Sequence, residues 1–147
     1  MRKFLTITVL AMLTILGTGC ATMSGDGKPN KAVYHLNSKD IDTQKDVLRN
    51  SQNHINAIGK DKLELRIVMH AGGLNLLKTA MTDVDVKSQV DNLKLQGVRF
   101  IVCKVTLDRN KIDYKTDLYD VSEKDIVPSG VAEIASLQAK GFGYVKP

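Results

Sequence analysis

The chain has 147 residues, 43% hydrophobic and 25% charged, which suits one packed domain and leaves little room for a second. The net charge of +5 includes Arg2 and Lys3 at the very start, and the other basic residues are interspersed with acids. With no clustered basic stripe, no Trp and 5% aromatics, the composition argues against nucleic-acid binding.

The first 20 residues predict a signal peptide. Met1-Arg2-Lys3 is a short basic start, Phe4–Leu16 is uncharged and apolar, and Gly17-Thr18-Gly19-Cys20-Ala21 is small-residue-rich. The apolar run falls short of the ~20 residues of a membrane span. Cys20 directly after small residues resembles a bacterial lipoprotein box, in which that cysteine is lipidated and tethers the protein to the membrane. Here Gly17 stands where the box usually has Leu. Ordinary cleavage after Ala21 and an uncleaved anchor are the other readings. All three place the protein outside the cytoplasm, in the periplasm. Cys20 is then acylated or removed, which leaves Cys103 as the one thiol of an exported domain.

Residues 21–31, polar with Gly and Pro, read as a flexible tether, and residues 32–147 as the domain. Ala32–Asn37 is a first strand. A helix capped by Asp40 or Asp42 runs to Ile58 and stops at Gly59, with Val47, Leu48, Ile55 and Ile58 on its inner face. Lys60-Asp61-Lys62 is a turn, and Leu63–His70 a second strand. Ala71–Asn75 is a glycine-bearing loop, followed by a helical turn at Leu76–Met81. A second long helix, capped by Asp83 or Asp85, ends at Gln96 with Val86, Val90 and Leu93 inward. A third strand lies within Gly97–Leu107, where branched and aromatic residues suit burial on both faces. Thr106–Asp113 is ambiguous, helical by its place in the pattern but poor in helix formers. Asp117–Asp125 is a turn with a short helical piece, and Ile126-Val127-Pro128 a brief fourth strand. A helix capped by Ser129 or Gly130 runs to Lys140 with Val131, Ile134, Ala135 and Leu137 inward. After Gly141, Phe142–Val145 is the last strand. This alternation predicts a three-layer α/β/α fold around a mostly parallel sheet of about five strands.

Cys103 falls where the third strand's apolar run gives way to charge, at the carboxyl end at which open α/β sheets place their ligands. If a helical turn begins at Lys104, its amides face the sulfur and favour the thiolate, and Lys104 or Arg109 adds positive charge suited to an anionic reactant. His70 closes the second strand at the same sheet edge, as a base or ion-pair partner or as a loop cap. Gly72 and Gly73 form a small anion nest or a plain turn, with Asn75 beside them. His35 reads as core or oligomer contact and His54 as a solvated helix residue. No residue set has metal-ligand spacing, no Gly-x-Ser-x-Gly elbow occurs, and no cofactor fingerprint is complete.

VYHLN, LRIVMHAGGLNLL, LQGVRFIVCKVTL and IVPSGVAEIASLQAKGFGYVKP resemble the DsrE/DsrF-like sulfur-relay family, in particular its small exported single-domain members, from Val33 to Pro147. The resemblance implies a flavodoxin-like fold, assembly into trimers or hexamers, and a persulfide on Cys103, with His70 at the position of the family's strand-end histidine. It also implies a small sulfur species or a sulfur-donor protein as partner. Members of this subgroup often carry Asn two residues after the cysteine, where this chain has Val105. The function expected is a sulfur carrier more than a turnover enzyme. The competing reading is a non-catalytic oligomeric binding or assembly module in which Cys103 only packs.

Overall fold

The computed structural model describes residues 29–147. The expected signal peptide, Cys20 and most of the tether lie outside the described residues. Five strands form one parallel sheet in the order β4-β3-β2-β1-β5: β1 Asn30–Leu36, β2 Leu63–Met69, β3 Arg99–Cys103, β4 Ile126–Val127 and β5 Gly143–Val145. Six α-helices connect them: α1 Ile41–Ile58, α2 Asn75–Thr79, α3 Val84–Leu95, α4 Lys104–Asn110, α5 Tyr114–Asp117 and α6 Gly130–Ala139.

The strand order explains the layers. From β1 to β4 each step moves one way across the sheet, and right-handed crossovers then put the connecting helices on one face. The step from β4 back to β5 runs the other way and carries α6 to the opposite face. The two cores follow. Tyr34, Leu36, Ile67, Met69, Phe100 and Val102 pack with Val47, Leu48, Val86, Val90 and Leu93 of α1 and α3. Val33, Val68 and Ile101, the alternate residues of the same strands, pack with Ile134 and Leu137 of α6 and with Phe142.

Helix ends follow the sequence closely. Asp40, Asp83 and Ser129 are the caps, each accepting an amide from the first turn. Gly59, Gly97 and Gly141 end helices at φ 94°, 90° and 87°, a region other residues enter only with strain. Three expectations need correction. β1 starts at Asn30, because Asn30 and Lys31 pair with Leu63 and Glu64 and so take the end of the tether into the sheet. Of the ambiguous segment Thr106–Asp113, Thr106–Asn110 is helical as part of α4, despite its poor propensity, because Thr106 and Leu107 are buried against the domain, and Lys111–Asp113 lies outside the helix. Of the four apolar side chains expected to face in on α6, Ile134 and Leu137 do. Val131 is 62% exposed and Ala135 is also exposed, since a single helix crossing the sheet buries a narrow stripe.

The loop after β2 is the tightest part of the fold. A Cβ on Gly73 would lie 2.1 Å from the Leu36 carbonyl oxygen, a backbone overlap that no rotamer relieves. Ala71, two residues earlier, has φ 47°, and its N–H donates to Thr106 Oγ1 at 2.9 Å. Gly73→Ala is therefore expected to lower stability by at least ~2 kcal/mol in urea denaturation. Ala71→Gly, which relieves a left-handed alanine, is expected to be neutral or to gain up to ~1 kcal/mol. The opposite ranking would contradict this loop geometry.

Candidate functional site

Strand register gathers the site. His35 pairs with Val68 and Val68 with Ile101, and Val33 pairs with Tyr144. Because side chains alternate along a strand, His35, His70, Cys103 and Tyr144 all emerge on the α6 face, at or just beyond the carboxyl ends. The first turn of α6 comes down on this group. A Cβ on Gly130 would lie 3.2 Å from the Cβ of Cys103 and 3.2 Å from that of His70, so one glycine separates the sulfur from the imidazole.

Cys103 is the N-cap residue of α4 and is 5% exposed. Burial pushes its thiol up. The Gly130 amide, the Thr106 hydroxyl and the amides of Thr106 and Val105 outweigh that and hold it below its ordinary value of 9.0. Thr106 has two tasks, since its hydroxyl oxygen also accepts the Ala71 N–H at 2.9 Å. The sulfur is buried, but its neighbours are donors, and it lines an open cavity.

That cavity measures about 550 Å³, in the range of small-molecule sites. His70, Gly72, Asn75, Cys103 and Arg109 of the predicted site residues line it, together with Lys39 and Lys78. Three cations and no carboxylate stand among its described lining residues. Two predicted residues lie elsewhere. Lys104 points outward to Asp108 at 2.9 Å in an exposed i,i+4 pair. Gly73 is buried against Leu36, where its role is close packing. Gln44, fully buried, donates to the carbonyls of Ser38 at 3.0 Å and Gly72 at 3.4 Å, tying the Lys39 loop to the glycine loop.

His35 and His54 also have partners. His54 is half-buried, with Nδ1 3.3 Å from the Tyr34 hydroxyl. His35 Nε2 lies 2.6 Å from His70 Nε2, and His35 Nδ1 lies 2.7 Å from the Tyr144 hydroxyl. Burial, then the charge of Lys146, lowers the pKa of both rings, and neighbouring His70 lowers that of His35 further, to about 4. Both imidazoles are therefore neutral at physiological pH.

The residues missed in the sequence are Lys39, Lys78, Thr106, Gly130, His35 and Tyr144. For Thr106 a signal existed: a hydroxyl three residues after Cys103 is at the position where a first helical turn folds back on its cap. For His35 and Tyr144 the signal was a polar ring near the end of a strand. Using it required knowing that β5 lies beside β1.

The donors around the sulfur predict how it titrates. The thiolate is the nucleophile, so alkylation of Cys103 by iodoacetamide is expected to rise with pH to a midpoint below 9.0. Thr106→Val should move that midpoint up and Thr106→Ser should leave it in place. A midpoint at or above 9.0 in the unaltered protein would contradict the described electrostatics.

Among the described residues no group of three or more His, Cys, Asp or Glu side chains is placed to hold a metal ion, and no helix is long and apolar enough to cross a membrane. The chain matches no curated protein. A solved structure of a protein of unknown function, MTH1491 from Methanobacterium thermoautotrophicum, is similar at 28% identity and TM-score 0.69, covering 80% of this chain and 99% of that one. Residues 30–147, which hold every described site residue, match the DsrE/DsrF-like family, and the chain belongs to that family.

Proposed function

We propose that this protein is an exported sulfur carrier that holds a sulfane sulfur on Cys103 as a persulfide. Family membership supports a sulfur-relay role in general. The observation that carries the finer reading is the thiol itself, lowered in pKa and opening on a cavity with three cations and no described carboxylate. The Cys103 thiolate attacks the outer sulfur of a donor R–S–SH. The S–S bond breaks, its electron pair leaves on R–S⁻, and Cys103 becomes Cys–S–SH. With thiosulfate, sulfite leaves in the same way. Lys39, Lys78 and Arg109 favour anionic donors and the leaving anion. The cavity is roomy for an inorganic anion alone and suits a small organic persulfide.

The reading includes a periplasmic location, with Cys20 as a lipid anchor, and assembly into a trimer or hexamer. Exposed apolar residues at the cavity mouth support assembly: Val105 is 50% exposed and Val131 62%. The outer side of α6 continues that surface with exposed Ala132, Ala135 and Ala139.

Incubation with thiosulfate or polysulfide, followed by intact-mass spectrometry, is expected to add sulfur to the unaltered protein and none to Cys103→Ser. No adduct on either would leave the inert packing role. Labelled fatty acid should enter the protein in a bacterial host and be lost in Cys20→Ala. Size-exclusion chromatography is expected to show an oligomer that Val131→Glu converts to monomer, and a monomeric unaltered protein would remove the assembly claim.

A further inference from the structure

The contact between the two histidines has a geometry that limits where protons can be. Their ring centroids are 4.8 Å apart, about one imidazole diameter more than the 2.6 Å between the Nε2 atoms. The planes differ by 26°. The rings thus meet head to head, each Nε2 aimed at the other, and are not stacked face on face. Two bare nitrogens at that distance repel through their lone pairs, and two N–H groups collide. One proton therefore lies between them.

Since both rings are neutral, that single proton sets the rest of the chain. If it sits on His35, then His35 Nδ1 is bare and accepts the Tyr144 O–H, while His70 carries its proton on Nδ1. If it sits on His70, then His70 Nδ1 is bare, and His35 donates from Nδ1 to the Tyr144 oxygen. His70 lines the cavity and its Nε2 is taken by His35, so Nδ1 is the polar atom it has left for a bound group, a donor in the first arrangement and an acceptor in the second. Neither places a net charge on the rings. Tyr144, at the far end, is 43% exposed, so the chain runs from the cavity to the surface.

We propose that His70, His35 and Tyr144 form a proton relay that protonates a leaving thiolate in the cavity at no cost in buried charge. It rests on the sulfur-transfer reading above. When R–S⁻ leaves, His70 Nδ1 gives it a proton and R–SH departs. The proton between the rings passes from His35 Nε2 to His70 Nε2. The Tyr144 hydroxyl proton passes to His35 Nδ1, and Tyr144 takes one from water. The chain resets when His70 Nδ1 takes the proton of the Cys103 thiol ahead of its next attack and Tyr144, by the reverse shifts, releases one to solvent. His35 and Tyr144 are positioning residues that act through His70. The titratable groups bearing on the pair are Lys146 beyond β5, also bound to Asn37, and Cys103 across Gly130.

Nitrogen-15 NMR of the full chain, labelled at histidine, tests the wiring without any sulfur donor. The expected result is His35 protonated on Nε2 and His70 on Nδ1, with both rings mostly neutral at pH 6.5 because both pKa values are lowered from 6.5. Tyr144→Phe should shift His70 toward its Nε2–H form. Two rings protonated on the same nitrogen, or tautomers indifferent to Tyr144→Phe, would overturn the relay. A second arm follows thiol release from a small alkyl persulfide in a single turnover. Tyr144→Phe and His35→Gln should slow it about tenfold, and added imidazole should restore it. Slowing that imidazole does not rescue, or no slowing, would also overturn the relay. Failure of the unaltered protein to take up sulfur would refute the carrier reading, and the tautomers would still decide the wiring.

Discussion

The site depends on one close approach, the first turn of α6 against the ends of β2 and β3 at Gly130. Only a residue without a side chain fits there without pushing Cys103 or His70 aside. The approach delivers a backbone amide to the sulfur and closes the α6 side of the cavity. It also gives the thiol donors from two helices, α6 through Gly130 and α4 through Val105 and Thr106. A thiol buried among aliphatic side chains is pushed toward its neutral form, whereas this one is buried among N–H and O–H groups. The degree of burial alone does not distinguish an inert cysteine from a reactive one, and the chemistry of the neighbours does.

The rest of the fold serves that approach. Parallel strands in register set Cys103 next to His70, and the reversal of direction after β4 brings α6 and β5 to the face on which both emerge. The same reversal places Tyr144 beside β1, within reach of His35. The tight loop at Ala71–Leu74 fixes the other wall. Gly73 sits directly on the Leu36 carbonyl, and Ala71 is tied to the hydroxyl that also serves the sulfur. Ala71, with its left-handed backbone, lines the cavity, a common place for backbone strain to persist.

Much of this was legible in the sequence. Alternating strands and helices, aspartate and serine caps and glycine stops gave the element order, and the apolar-to-charged transition at Cys103 marked a strand end. Local signals failed where a pairing or a packing angle decided the outcome. Val131 and Ala135 fit the apolar stripe of α6, yet among the described residues that helix is the one on its face, and of its apolar side chains Ile134 and Leu137 are the buried ones. Adjacency in the sequence suggests Lys104 as a partner for the sulfur, but the residue after an N-cap turns away along its own helix, and Asp108 holds it. Lys39 reaches the cavity from a loop and Lys78 from the short helix α2, and no periodicity encodes either approach. His35 and Tyr144 are 109 positions apart, and only the strand order makes them neighbours.

The central claim is that Cys103 is a thiolate-prone sulfur opening on a basic cavity. The most direct measurement is its rate of reaction with a dianionic aromatic disulfide and with a neutral disulfide of similar size, over a range of salt. The account predicts that the dianion reacts faster at low ionic strength and loses its advantage as salt screens Lys39, Lys78 and Arg109. A thiol that reacts with neither reagent in the folded protein, or one that favours the neutral reagent at low salt, would contradict it.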